Sequence, residues 1–134
     1  VIGGEGNGGI IDPQLHYGRD SLIGTALFLS LLSGLKFSVS ELKKTYPEYF
    51  MSKGKIELEP SMEVDHLLNE IKKKYTDNKP NTIDGVKIDF ENSWVHLRKS
   101  NTEPIIRVYT EAPSQLEADD LMNRFKAELL AFGN

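Results

Sequence analysis

The stretch RKSNTEPIIR, from Arg98 to Arg107, holds the side chains of this sequence that are best suited to capture an anion. Its polar centre is Ser100-Asn101-Thr102, where hydroxyl, amide and backbone N–H groups can all donate hydrogen bonds toward one point. The arginine on each side adds a planar fork of donors that can bind two phosphate oxygens at once. The simplest chemistry for this stretch is therefore capture of a phosphate dianion. An ordinary solvated turn is the alternative, because Ser, Asn and Thr are common turn residues.

Strand-like segments flank this loop and would present it at the tip of a hairpin. Residues 94–97 precede the loop and residues 105–109 follow it, and both segments are rich in β-branched or aromatic side chains. Pro104 has no N–H to donate and fixes φ, so it is suited to begin the outgoing strand.

The pattern from residue 47 onward predicts the order strand, helix, three strands, helix. Strands are predicted at 49–58, with an interruption at Gly54, and at 86–90, 94–98 and 105–111; helices are predicted after Ser61 and after Ser114. The first of these helices has one apolar face, made of Val64, Leu67, Leu68, Ile71 and Tyr75. Tight turns make the strands antiparallel, so the prediction is an α+β fold of two layers: a four-stranded antiparallel sheet covered on one face by two helices.

Residues 1–46 differ in character from the rest of the chain. Asp20 is predicted to cap a helix that runs to about Gly34, and this helix is apolar on most of its circumference. Such a helix is expected inside a larger structure. We therefore expect the sequence to be the C-terminal piece of a longer protein, with a domain boundary after residue 46.

Two motifs resemble one known family. The run RKSNTEPxxR at 98–107 resembles the phosphate-binding loop in the fourth domain of the α-D-phosphohexomutases, which include phosphoglucomutase, phosphomannomutase and phosphoglucosamine mutase. The glycine-rich run GGEGNGG at 3–9 resembles the sugar-recognition loop of their third domain. The resemblance implies that residues 1–46 end the third domain and that residues 47–134 form the fourth, TATA-binding-protein-like domain. The Gly-Asn loop and the general likeness favour phosphoglucosamine mutase within the family.

The resemblance also implies residue roles and an activity. The phosphate that is not reacting would be held by Arg98, Ser100, Asn101, Thr102 and Arg107, and sugar hydroxyls would be contacted by Glu5 and Asn7. The parent enzyme would interconvert hexose or aminohexose 6-phosphate and 1-phosphate through a bisphosphorylated sugar, with a phosphoserine and Mg²⁺ on other domains. We expect no catalytic residue, no metal ligand and no mutase activity in this chain by itself. Its expected partners are the sugar phosphate and the remaining domains.

The composition of the chain argues against several other classes of protein function. The net charge of −4 argues against a nucleic-acid-binding face, which needs a surplus of Lys and Arg. The absence of Cys excludes a thiol nucleophile and a disulfide framework, and it fits a cytoplasmic protein. The most apolar run, 22–35, is too short and too interrupted by Gly and Ser to span a bilayer. A stand-alone, non-catalytic α+β module that binds anions or a partner protein remains the alternative function.

Overall fold

The computed structural model describes residues 2–4, 8–58, 62–100 and 102–133. Contacts within the chain divide it into two compact units, Val1–Pro47 and Glu48–Asn134. This division falls one residue after the predicted boundary, and the assignment of the two parts to mutase domains stays a prediction.

The first unit contains a two-stranded antiparallel ribbon and two helices. They are β1 (Gly3–Gly4), β2 (Ile10–Ile11), α1 (Ser21–Leu35) and α2 (Val39–Lys43). The predicted cap of α1 is confirmed, since the Asp20 carboxylate accepts hydrogen bonds from the N–H groups of Leu22 and Ile23 at 2.8 and 3.0 Å. Helix α2 begins with a capping box between Ser38 and Glu41.

Helix α1 ends at Leu35, within one residue of the predicted end at about Gly34. Lys36 follows in the left-handed conformation, with φ of 55°, and its N–H donates to the Leu32 carbonyl at 3.1 Å. A helix commonly ends where a residue adopts this conformation. Glycine adopts it most easily, but other residues also occur there. Here Lys36 takes that position, and Gly34 lies inside the last turn.

The second unit is an antiparallel sheet with two helices. Its elements are β3 (Phe50–Glu57), α3 (Val64–Lys74), β4 (Val86–Asp89), β5 (Trp94–Lys99), β6 (Ile105–Ala112) and α4 (Gln115–Phe132). The strand order is β3-β6-β5-β4, and all neighbouring strands are antiparallel. The predicted α+β fold, with four strands and two helices, is confirmed.

The core lies between the sheet and the two helices. Alternate strand residues face it, and the apolar ones with no exposed surface are Ile88, Val95, Leu97, Ile106 and Val108. The helices contribute Leu67 and Ile71 from α3 and Phe125 and Leu129 from α4. The intervening strand residues, among them Lys53, Arg98 and Arg107, lie on the opposite face, which we call the open face.

The predicted interruption at Gly54 is wrong, because β3 runs without a break and pairs Gly54 with Val108. A glycine weakens a strand by its flexibility, but this one has a packing role. A Cβ at Gly54 would lie 2.8 Å from Met122 Sδ and 2.8 Å from Lys126 Nζ, both on α4. A side chain at this position would therefore require the Met122 and Lys126 side chains to shift.

The two helices of this unit begin differently. Ser114 caps α4 as predicted, accepting from the Glu117 N–H at 3.2 Å. The predicted cap of α3, Ser61, lies outside the described residues, and Glu63 occupies the capping position without a side-chain hydrogen bond.

Candidate functional site

The β5–β6 hairpin presents the polar loop at one end of the sheet. Arg98 on β5 is paired directly with Arg107 on β6. Beyond this pair, the Ser100 N–H donates to the Ile105 carbonyl at 3.1 Å, and the Ile105 N–H donates to the Glu103 carbonyl at 2.8 Å. The Leu58 N–H also donates to the Pro104 carbonyl at 3.1 Å. The sheet and these bonds hold both ends of the loop in place.

The loop and its two arginines surround a surface pocket of about 190 Å³. Its lining residues are Arg98, Lys99, Ser100, Thr102 and Arg107. Four of the five residues predicted to bind phosphate are thus brought together, and the fifth, Asn101, lies outside the described residues. That they bind phosphate stays a prediction.

The two arginines face each other across adjacent strands on the open face. Like charges placed directly opposite each other destabilise an antiparallel pair of strands. An anion between Arg98 and Arg107 would remove that cost, and both side chains are exposed enough to reach one. The hydroxyl oxygens of Ser100 and Thr102 lie 3.4 Å apart, and the Thr102 N–H donates weakly to Ser100 Oγ at 3.5 Å. These donors are exposed and can turn to a ligand.

Asp84, which no sequence pattern indicated as a site residue, is the acidic partner of Arg98. Its Oδ2 lies 2.7 Å from Arg98 Nη2, and its backbone carbonyl accepts from the His96 ring at 2.6 Å. One guanidinium nitrogen is thereby occupied, and the others remain available to the pocket. The Asp84-Gly85 pair before a predicted strand was a turn signal, but it did not indicate which strand the turn would lie beside.

Two lysines in and near the loop have acidic partners of their own, Asp65 for Lys99 and Glu57 for Lys55. The Lys99 ammonium lies 2.8 Å from Asp65 Oδ2 on α3, on the helix side of the sheet. This ion pair is exposed, so it contributes little to stability. The pKa of Lys55 is raised chiefly by its hydrogen bond to Glu57, and the charge of Glu103 adds to this shift.

The predicted sugar contacts, Glu5 and Asn7, lie outside the described residues. The glycine-rich run that contains them connects β1 to β2, which pair Gly3 with Ile11 and Gly4 with Ile10. Their role remains an expectation from the resemblance.

Metal-binding and membrane-spanning features are absent from the described part of the chain. Across residues 2–4, 8–58, 62–100 and 102–133, no group of three or more His, Asp or Glu side chains could hold a metal ion. In the same described ranges, no helix combines the length and the apolar character needed to cross a bilayer.

The fold and the pocket together define an α+β domain with a cationic loop at one end of its sheet. Residues 55–128 match the family described as "Phosphoglucomutase/phosphomannomutase, C-terminal domain", and the chain belongs to this family.

Curated relatives carry mutase names. The chain is 40% identical over 128 residues to the "Phosphoglucosamine/phosphogalactosamine mutase" of Sulfurisphaera tokodaii, covering 94% of this chain and 28% of that protein. It is also 40% identical over 127 residues to the "Phosphoglucomutase/phosphomannomutase" of Thermococcus kodakarensis, covering 91% of this chain and 27% of that protein. The chain thus spans under a third of the length of these relatives.

Solved structures share the fold. A phosphoglucomutase/phosphomannomutase family protein from Burkholderia thailandensis has a TM-score of 0.70 at 22% identity, over 98% of this chain and 28% of that one. The N-acetylphosphoglucosamine mutase of Aspergillus fumigatus, solved with GlcNAc-6P and magnesium, has a TM-score of 0.53 at 22% identity, over 89% of this chain and 22% of that one.

Proposed function

We propose that this chain is the substrate-phosphate-binding part of a phosphohexomutase. The parent enzyme interconverts a hexose 6-phosphate and 1-phosphate by intramolecular phosphoryl transfer through a bisphosphorylated sugar. The observation that carries the proposal is the pocket at the β5–β6 loop, where Arg98 and Arg107 face each other beside Ser100 and Thr102. Family membership supports this function over a stand-alone anion-binding module.

The contribution of such a pocket to the reaction is positioning. Holding the phosphate that does not react keeps the other end of the sugar at the reacting groups, so the transfer becomes effectively intramolecular. A well-oriented arrangement of this kind lowers a barrier by roughly 7–11 kcal/mol. The sheet already holds the loop in place, so little ordering is needed when the phosphate binds.

Glucosamine phosphate is the substrate that we propose for the parent enzyme. Several relatives over 30% identical to the chain are named phosphoglucosamine mutases, and one solved neighbour is a complex with GlcNAc-6P. The glycine-rich run with Glu5 and Asn7 would contact the sugar hydroxyls.

The parent enzyme would also use Mg²⁺, since the Aspergillus fumigatus enzyme was solved in complex with magnesium. Such an ion would neutralise charge on the phosphoryl group in transfer. Among the described residues of this chain, no group of three or more His, Asp or Glu side chains could hold such an ion.

The remaining domains of the parent chain would cover α1. Its mean hydropathy is high, it buries none of its residues within the described part of the chain, and Leu22 is 80% exposed. Burying a leucine or phenylalanine stabilises a protein by about 1.5–3 kcal/mol, so these side chains favour a covered position.

Replacing either arginine should weaken phosphate binding by the isolated chain. We expect a dissociation constant of about 1 mM or higher for glucosamine 6-phosphate, which corresponds to only about −4 kcal/mol. Arg98→Lys and Arg107→Lys keep the charge but lose the bidentate contact with the phosphate, so each should weaken binding several-fold. The alanine variants should weaken it by about tenfold or more, since a hydrogen bond to a charged group contributes about 1.5–3 kcal/mol. NMR titration of ¹⁵N-labelled protein measures these constants.

Lys74→Ala is the control for general charge loss. Lys74 lies at the end of α3, where its ammonium is 3.1 Å from Glu128. This change should have only a small, salt-screened effect. The loop assignment is wrong if the ligand shifts the amides of residues 72–75 more than the described amides of residues 98–103.

A further inference from the structure

The acidic side chain of Asp84 lies beside the loop pocket, on the open face. Its Oδ2 is 2.7 Å from Nη2 of Arg98, which lines the pocket. Its backbone carbonyl accepts a hydrogen bond from the ring of His96, two residues before Arg98 and therefore on the same face of β5. Asp84 is thus next to the place where a bound phosphate would meet Arg98.

The Asp84 carboxylate can accept more than this one contact. An ionised carboxylate has about four lone-pair sites on its two oxygens. In the described part of the chain, Arg98 is the only ion-pair partner of this carboxylate, and the Asp84 side chain is 61% exposed. Its unused positions are therefore open to a ligand that enters the pocket.

A carboxylate at this point is unfavourable for the binding of a phosphate alone. A phosphate between Arg98 and Arg107 is negatively charged, and like charges repel each other at short range. The same carboxylate becomes favourable if the ligand carries a positive charge close to its phosphate. The position of Asp84 thus suits a ligand with both charges.

Glucosamine 1-phosphate has this combination of charges. Its phosphate is on C1 and its amine is on C2, the neighbouring carbon, and comparable amines are protonated at about pH 7 because their pKa is roughly 7.7–8.0. The guanidinium of Arg98 has several N–H donors, so it can bind the phosphate on its pocket side while Asp84 holds another edge. The ammonium on the adjacent carbon is then within reach of Asp84. The C6 end of the sugar stays free to extend toward reacting groups on other domains.

We propose that Asp84 binds the C2 ammonium of glucosamine 1-phosphate and so makes the loop pocket selective for an aminohexose phosphate over a hexose phosphate. The inference rests on the proposed function for the phosphate at the loop, and it adds a residue that determines specificity. An ion pair this exposed strengthens binding by only a few-fold, so the expected preference is about threefold.

The test compares three ligands on the complete 134-residue chain by ¹⁵N NMR titration at about pH 7: glucosamine 1-phosphate, N-acetylglucosamine 1-phosphate and glucose 1-phosphate. All three should shift the amides around the loop, because they share the phosphate. Glucosamine 1-phosphate should bind about threefold more tightly than glucose 1-phosphate. N-acetylglucosamine 1-phosphate should have no such advantage, since acetylation removes the positive charge and leaves the nitrogen in place.

The variant Asp84→Asn should reduce the ratio of the glucosamine 1-phosphate affinity to the glucose 1-phosphate affinity to about one. Asparagine keeps the shape and an oxygen that accepts from Arg98, but it has no charge to attract the ammonium. Both ligands carry the same phosphate, so any effect of the change on Arg98 cancels in the ratio.

The matched controls are Asp65→Asn and Glu103→Gln. Asp65 is the ion-pair partner of Lys99, which also lines the pocket, and its side chain is 74% exposed. Glu103 belongs to the loop itself. Each control removes one negative charge from around the loop, as Asp84→Asn does, so both should keep the threefold ratio if Asp84 is the acid that the ammonium contacts.

Equal affinity for glucosamine 1-phosphate and glucose 1-phosphate in the unchanged chain would overturn the role of Asp84. A preference that survives in Asp84→Asn, or that disappears equally in either control, would do the same. An equal advantage for the N-acetyl form would show that the contact does not depend on charge, which also contradicts the inference. The proposed function itself fails if none of the three ligands shifts the loop amides, a result distinct from loop shifts without a preference.

Discussion

Gly85→Ala is expected to lower the free energy of unfolding by about 3 kcal/mol or more, which urea denaturation followed by circular dichroism will measure. Gly85 has φ of +74°, in the left-handed region that side chains disfavour. A Cβ here would overlap the Leu97 carbonyl oxygen and would lie 3.2 Å from Arg98 Cα. These are backbone atoms, so they cannot turn aside, and β4 would have to separate from β5. Asp84 would move too, and its carboxylate would then no longer hold Arg98.

The control for this change is Lys79→Gly. Lys79 also has a positive φ, 49°, and it lies in the same unit. Glycine removes the strain of that conformation but adds flexibility to the unfolded chain, so we expect a change within about 1 kcal/mol. If Gly85→Ala costs less than about 0.5 kcal/mol, the range of ordinary surface changes, the close approach between β4 and β5 is wrong.

Phe125→Ala is expected to destabilise the protein by about 3–5 kcal/mol. Phe125 is fully buried, and its ring lies 5.1 Å from that of Tyr75 and 6.3 Å from that of Phe90, measured between ring centroids. Tyr75 cannot easily collapse into the resulting cavity, because its hydroxyl donates to Glu128 at 2.9 Å. Since domains are stable by only about 5–15 kcal/mol, this change removes a large fraction of the total.

Leu116→Ala tests the same helix at an exposed position. Leu116 is 70% exposed near the start of α4, so its truncation should change stability by about 0.5 kcal/mol or less. Thermal unfolding of both variants should therefore separate them clearly. Similar effects of the two changes would mean that α4 does not pack through Phe125.

Much of the fold was predictable because periodicity is a local property. The β-branched and aromatic side chains around residues 94–98 predicted a strand there, and Val95 and Leu97 within it are fully buried. The helical spacing of Leu67 and Ile71 predicted their burial in the same way. The error at Gly54 came from interpreting this residue by its local propensity, as an interruption of the strand. At Gly54, pairing with Val108 on β6 outweighed that propensity.

The sequence by itself determined the elements and the chemical character of the loop, since polar donors between two arginines are a property of adjacent residues. Its resemblance to the mutases also indicated the family, while the phosphate-binding and sugar-binding roles of all the predicted site residues stay predictions. Only the tertiary structure decided which charges meet: Asp84 at Arg98, Asp65 at Lys99, and Lys55 beside Arg107. The physical reason is strand register and helix docking. These pair segments that are distant in the chain, and a shift of one residue would place every side chain on the other face.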